Sequence, residues 1–113
     1  MAVRVQHEDF DLGAEVAALR AGNPGVGAVA SFIGTVRDVS EGTRVSTMEL
    51  EHYPGMTEKA LETIEAAARG RWPLLGVTIV HRVGLLQPLD QIVLVAVSSA
   101  HRGAAFAACE FIM

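Results

Sequence analysis

Apolar and polar residues follow one another along this chain with two distinct periods. Residues 9–21, DFDLGAEVAALRA, place Leu12, Val16 and Leu19 at intervals of three and four, the spacing of a short amphipathic helix. GNPG at 22–25 ends it with a glycine and a proline-containing turn. Residues 26–36, VGAVASFIGTV, are rich in β-branched and small side chains and predict a mostly buried strand. RDVSEGT (37–43) reads as a polar loop. RVSTMELEHY (44–53) then reads as the partner strand, with Met48 and Leu50 alternating against Glu49 and Glu51, so one face should be wet.

Pro54 and Gly55 break that strand, and residues 56–72 return to helical spacing. Met56, Ala60, Leu61, Ile64, Ala67 and Ala68 form one stripe, while Glu58, Lys59, Glu62, Glu65 and Arg69 lie outside it. Thr57 is the candidate N-cap, and Gly70 with Pro73 marks the end. GVTIVHRVG (76–84) predicts a third strand, LLQPLD (85–90) a link with a turn, and QIVLVAVSS (91–99) a fourth strand. The apolar run Ile92 to Val97 in that strand implies burial on both faces. A closing helix starts near His101. The order is helix, two strands, helix, two strands, helix. Strands paired across short connections predict an α+β fold, a mainly antiparallel or mixed sheet with flanking helices, in a single domain over 1–113.

Composition narrows the class. A chain of 113 residues buries roughly two-thirds of its unfolded surface, and 50% hydrophobic content is not that of a disordered segment. The longest apolar run is far short of the ~20 residues a membrane span needs. The opening MAVRVQHEDFDLG lacks the apolar stretch of a secretion signal. A net charge of −4 argues against general nucleic-acid binding. One cysteine forms no internal disulfide and fits a reducing compartment. The expectation is a soluble cytoplasmic domain with neither nucleic acid nor membrane as partner.

Most catalytic constellations are missing. His7, His52, His81 and His101 are far apart in sequence, with no metal-ligand spacing, nucleophile elbow or phosphate loop near them. Glu49 and Glu51 share a strand face, where a solvated surface is the better reading than paired acid catalysis. Cys109, among alanines, reads as a small buried hydrophobe, and His52 as a hydrogen-bonded structural histidine.

His101 and Arg102 stand apart. They open an alanine-rich helix at the end where its free N–H groups already carry positive charge, an arrangement unfavourable by roughly 0.3–1 kcal/mol. An anion docked there would accept from the N–H groups, the imidazole and the guanidinium together. An ordinary exposed pair tolerating the penalty is the competing explanation, with Ser98 and Ser99 available as caps. A second candidate is GTVRDVSEG, where Arg37 opens a polar loop directly after a buried strand. A plain solvated hairpin loop is the alternative there.

GAVASFIGTVRD (27–38), LEHYPGMTEKAL (50–61), RWP (71–73), VTIVHRVG (77–84) and VSSAHRGAAF (97–106) occur in an order and at spacings that resemble the large, catalytic subunit of molybdopterin synthase. The likeness covers about 27–113. It implies a hammerhead-type α+β fold, a homodimer, and a small ubiquitin-like sulfur-carrier subunit with a C-terminal Gly-Gly at each end of that dimer. The reaction implied is sulfur transfer from the carrier's thiocarboxylate to cyclic pyranopterin monophosphate, making molybdopterin with no metal or organic cofactor. By position, Thr35, Val36 and Arg37 resemble a substrate-binding loop that reaches across the dimer. His101 and Arg102 resemble an anion-binding pair, and Phe32 and Met113 resemble walls of the carrier-tail pocket. The family's two central lysines belong to a segment following Phe-Ile-Met, and the closing helix here ends without a glycine, basic residue or cap. The expectation is therefore either a chain that continues or a short homologue, with a non-catalytic anion-binding or assembly role as the alternative.

Overall fold

The computed structural model describes residues 2–40, 43–44 and 48–113. Its centre is β8 (Gln91–Ser99), which is buried from Leu94 through Ser99. On one side it pairs antiparallel with β6 (Leu74–Arg82), on the other antiparallel with β2 (Ala28–Thr35). A short strand, β1 (Val3–Gln6), joins β6 in parallel, giving a mixed sheet of order β1-β6-β8-β2.

The two-residue period of β8 divides the core. Val95 and Val97 pack with Ala68, Ala105, Ala108 and Ile112, which belong to α2 (Met56–Arg71) and α3 (Arg102–Ile112). Leu94 and Ala96 pack with Phe10, Val80 and α1 (Leu12–Arg20), whose Leu12 and Leu19 are partly buried against them. The apolar run in β8 exists because both faces of this strand are covered. Two small antiparallel ribbons complete the fold: β3 (Val39–Ser40) with β4 (Thr43–Arg44), and β5 (Met48–Leu50) with β7 (Gly84–Leu86).

The α+β class, all three helices and the antiparallel pairing of the 76–84 and 91–99 strands match the sequence expectations, but the pairing of the 26–36 and 44–53 strands does not. The 26–36 strand pairs with β8; of the 44–53 segment, Arg44 pairs with Val39 and residues 48–50 pair with β7, which starts at the end of the expected 76–84 strand and enters the expected 85–90 link. Two segments of the expected 37–43 loop and 44–53 strand, 41–42 and 45–47, lie outside the described residues. The strand β1 was not expected, since VRVQ is too short to show a period. Thr57 does not cap α2. Gly55 does, at φ 84°, and its N–H donates to Glu58 Oε1 at 3.0 Å while Thr57 Oγ1 accepts from the Tyr53 N–H. Met56, expected on the buried stripe, is exposed.

Candidate functional site

The crossover from β8 into α3 is built by close approach. The Gly27 N–H donates to the Ser99 carbonyl at 3.0 Å, and a Cβ at Gly27 would lie 2.1 Å from the Ala100 carbonyl oxygen. Only glycine fits against that backbone, so the entry to α3 is fixed from below. His101 is the N-cap, extended at φ −133° and ψ 151°, with no side-chain hydrogen bond capping the helix and no acidic residue in its first turn. His101 and Arg102 are both exposed. Among the described residues neither side chain has a hydrogen bond or an ion pair, so the imidazole, the guanidinium and the first-turn N–H groups keep hydrogen-bond donors free at the start of α3.

Ser98 and Ser99 do not cap α3, contrary to expectation. Ser99 Oγ donates to the Pro73 carbonyl at 3.0 Å. Ser98 is fully buried beside Leu19 and Gly76, its Oγ without a hydrogen-bond partner among the described residues. The strand's alternation and the covering helices turn both hydroxyls away from the helix start.

Arg37 lies past the opposite end of β2. Thr35 is exposed, Val36 is 2% exposed, and Arg37 is exposed again without a hydrogen bond or ion pair among the described residues. The Val36 N–H donates to the Asp90 carbonyl at 3.0 Å and its carbonyl accepts from the Leu89 N–H at 2.9 Å. Val36 is thus an anchor with both backbone groups engaged, holding Thr35 and Arg37 out on either side.

The two cationic groups are therefore apart within one chain. Ala28 pairs with Ser99 and Thr35 with Gln91, so seven or more strand steps of about 3.3 Å separate the His101 end from the Arg37 end, roughly 25 Å in all. The molecule measures 44 Å in its longest dimension.

Phe32 and Met113 do come together. They line an open cleft of about 560 Å³ between β2 and α3, with Phe106, Cys109 and Glu110. Phe106 was not singled out from sequence. The available signal was the all-round apolar character of α3, which leaves an uncovered face once Ala105 and Ala108 are buried. Burial pushes the Cys109 thiol up, so it offers no thiolate to this cleft.

A second cleft of about 380 Å³ is lined by His7, Glu49, Glu51, His52 and Tyr53. His52 Nε2 lies 3.1 Å from Glu58 Oε2, the structural contact expected of it. The Glu58 carboxyl is held low by its own backbone N–H, with His52 and the Gly55 N–H adding to this. The Tyr53 hydroxyl donates to Glu51, which raises the phenol. This acidic lining suits no anion. Among the described residues no cluster of three His, Cys, Asp or Glu could hold a metal, and no helix is long and apolar enough to cross a membrane.

Comparison with known proteins gives a consistent picture. The family model described as "MoaE protein" matches residues 5–113. A "Molybdopterin synthase catalytic subunit" of Ralstonia nicotianae is 71% identical over 111 residues, which is 98% of this chain and 63% of that protein. The chain thus spans less than two-thirds of that relative's length. A solved structure of a molybdopterin biosynthesis MoaE protein from Burkholderia ambifaria superposes with a TM-score of 0.90 at 65% identity, covering 100% of this chain and 74% of its own. A complex of subunits 1 and 2 of molybdopterin-converting factor from Helicobacter pylori shares the fold, with a TM-score of 0.76 at 16% identity over 97% of this chain and 73% of its own.

Proposed function

The chain belongs to the MoaE protein family, and on that premise we propose that it is the catalytic subunit of a molybdopterin synthase, moving sulfur from a small carrier protein onto cyclic pyranopterin monophosphate. The substrate's phosphate docks on the first turn of α3, where His101, Arg102 and the free N–H groups all donate to it. Thr35 and Arg37, held out by the anchored Val36, close the site from a second copy of the chain. Their distance from His101 within one chain supports that division. The apolar cleft beside Phe32 and Met113 takes the carrier's extended Gly-Gly tail, whose small residues suit a narrow approach along β2.

Cys109 is buried with its thiol raised, so the chain presents no activated sulfur of its own in this cleft. That supports a sulfur arriving on the carrier's thiocarboxylate, with two transfers building the dithiolene. The relative's name as a catalytic subunit favours this role over a purely anion-binding or assembly one. The chain's work takes place in the cytoplasm, where its cysteine stays reduced.

The single observation that carries this proposal is the exposed His101–Arg102 pair, unpaired among the described residues, at the start of a helix whose first turn holds no acidic residue. A charge-assisted hydrogen bond contributes about 1.5–3 kcal/mol, so Arg102→Ala should weaken binding of cyclic pyranopterin monophosphate by roughly ten- to a hundredfold in a calorimetric titration. Unchanged affinity would remove the anion site and the proposal with it.

A further inference from the structure

Arg82 closes β6 with a side chain only 13% exposed, at the Gln91 end of the main sheet. Its Nε and Nη2 both donate to the His7 carbonyl, at 3.1 and 3.0 Å, and its Nη1 donates to the Gln91 carbonyl at 3.0 Å. Asp9 Oδ1 lies 3.7 Å from Nη1. Gln91 ties the same junction from the other side: its Nε2 donates to Asp9 Oδ1 at 2.8 Å and to the Phe10 carbonyl at 2.9 Å.

Gln91 is where the main sheet changes register. Gly34 pairs with Val93, but the next residue, Thr35, pairs with Gln91, which leaves Ile92 as an extra residue in β8. Such a bulge bends the strand and re-aims the neighbouring backbone. On the partner strand the residues just past the bulge are Val36 and Arg37. The turn that grips Val36 leads directly into the bulge. Leu89, at φ 77°, donates to the Val36 carbonyl, the Asp90 carbonyl accepts from the Val36 N–H, and Asp90 Oδ2 accepts from the Gln87 N–H at 2.8 Å. A non-glycine residue at positive φ persists only where its surroundings hold it. The holding groups run from Val36 through Leu89 and Asp90 to Gln91, and end on the Arg82 guanidinium.

We propose that Arg82 is a positioning residue for Arg37: by fixing the bulge at Gln91 to the 7–10 segment, it sets the direction in which Arg37 leaves the sheet and so the affinity of the site that Arg37 completes. This rests on Arg37 binding substrate. A lysine at position 82 keeps the charge and one carbonyl contact but cannot reach His7 and Gln91 at once, because it lacks the planar fork.

The test is a double-mutant cycle in the intact subunit, titrated with cyclic pyranopterin monophosphate. Arg82→Lys should keep its melting temperature near that of the unaltered chain and bind about three- to tenfold more weakly, and in an Arg37→Ala background it should cause no further loss. Wild-type affinity in Arg82→Lys would overturn the proposal, as would losses that multiply in the double variant. Normal affinity in Arg37→Ala alone would instead overturn the role of Arg37 beneath it. Arg82→Met, where it folds, should show the same dependence on Arg37 with a larger loss, and an independent loss would count against positioning.

Discussion

Asp9 shows how one exposed carboxylate can serve as a joint. The Gln91 amide and the Phe10 N–H donate to it, and with Arg82 nearby they hold its carboxyl below the ordinary range. A carboxyl whose folded pKa lies below its unfolded value of about 3.9 stabilises the fold above that pH, and the contribution fades as pH falls through the folded value. Urea midpoints measured at pH 5 and pH 3 should therefore drop further for the unaltered chain than for Asp9→Asn. Parallel drops would show that Asp9 is uninvolved. Gly27 makes the opposite kind of demand. An alanine there must displace the Ala100 carbonyl, which cannot yield without moving the start of α3. Gly27→Ala should cost about 1–3 kcal/mol in denaturant unfolding and weaken phosphate binding as well, since His101 follows Ala100 directly. His101 and Arg102 were legible in the sequence because their charge conflicts with a helix start. The Arg82–Gln91–Asp9 junction was not: most of its acceptors are backbone carbonyls, which leave no mark on residue identity.

Among the elements, α3 carries the clearest division of labour. Its alanines let it sit close on β8, with Ala105 and Ala108 buried and Cys109 Sγ 3.8 Å from the Val95 carbonyl. Phe106 projects from the other side, and Phe111 meets Trp72 edge-to-face at 5.4 Å with the Arg71 guanidinium over both rings. Ala108→Leu should destabilise by about 1–3 kcal/mol through overpacking, whereas the exposed Phe106→Ala should stay within about 0.5 kcal/mol, as thermal melts would show. Equal effects would mean the helix does not dock by its alanine face. Both α3 and β8 were readable from sequence, because helical spacing and a six-residue apolar run are local signals. The pairing of β2 with β8 was not, because some sixty residues separate them and neither strand's composition names its neighbour. The strand β1 was invisible for a related reason: four residues become a strand only when the open edge of β6 receives them.

For the whole molecule, the two cationic ends of the β2–β8 pair make a statement about assembly. One chain presents His101 and Arg102 at one end and Arg37 at the other, with the exposed apolar Phe32, Phe106 and Met113 lining the cleft between β2 and α3. The proposed site that draws on His101, Arg102 and Arg37 together would take Arg37 from a second copy, whose two-fold relation would build two such sites at once. The sequence resemblance implied this crossing, and the separation along the sheet supports it on physical grounds.

The most direct measurement is a mixing experiment. Arg37→Ala and Arg102→Ala subunits would be prepared separately, mixed, allowed to exchange partners, and titrated with cyclic pyranopterin monophosphate to count tight sites per chain. Each variant alone should lack tight sites. A mixed dimer places the intact Arg37 of one subunit opposite the intact Arg102 of the other, so random pairing should restore about one-quarter of the wild-type sites. A mixture with no more tight sites than the two variants measured apart would contradict the shared site.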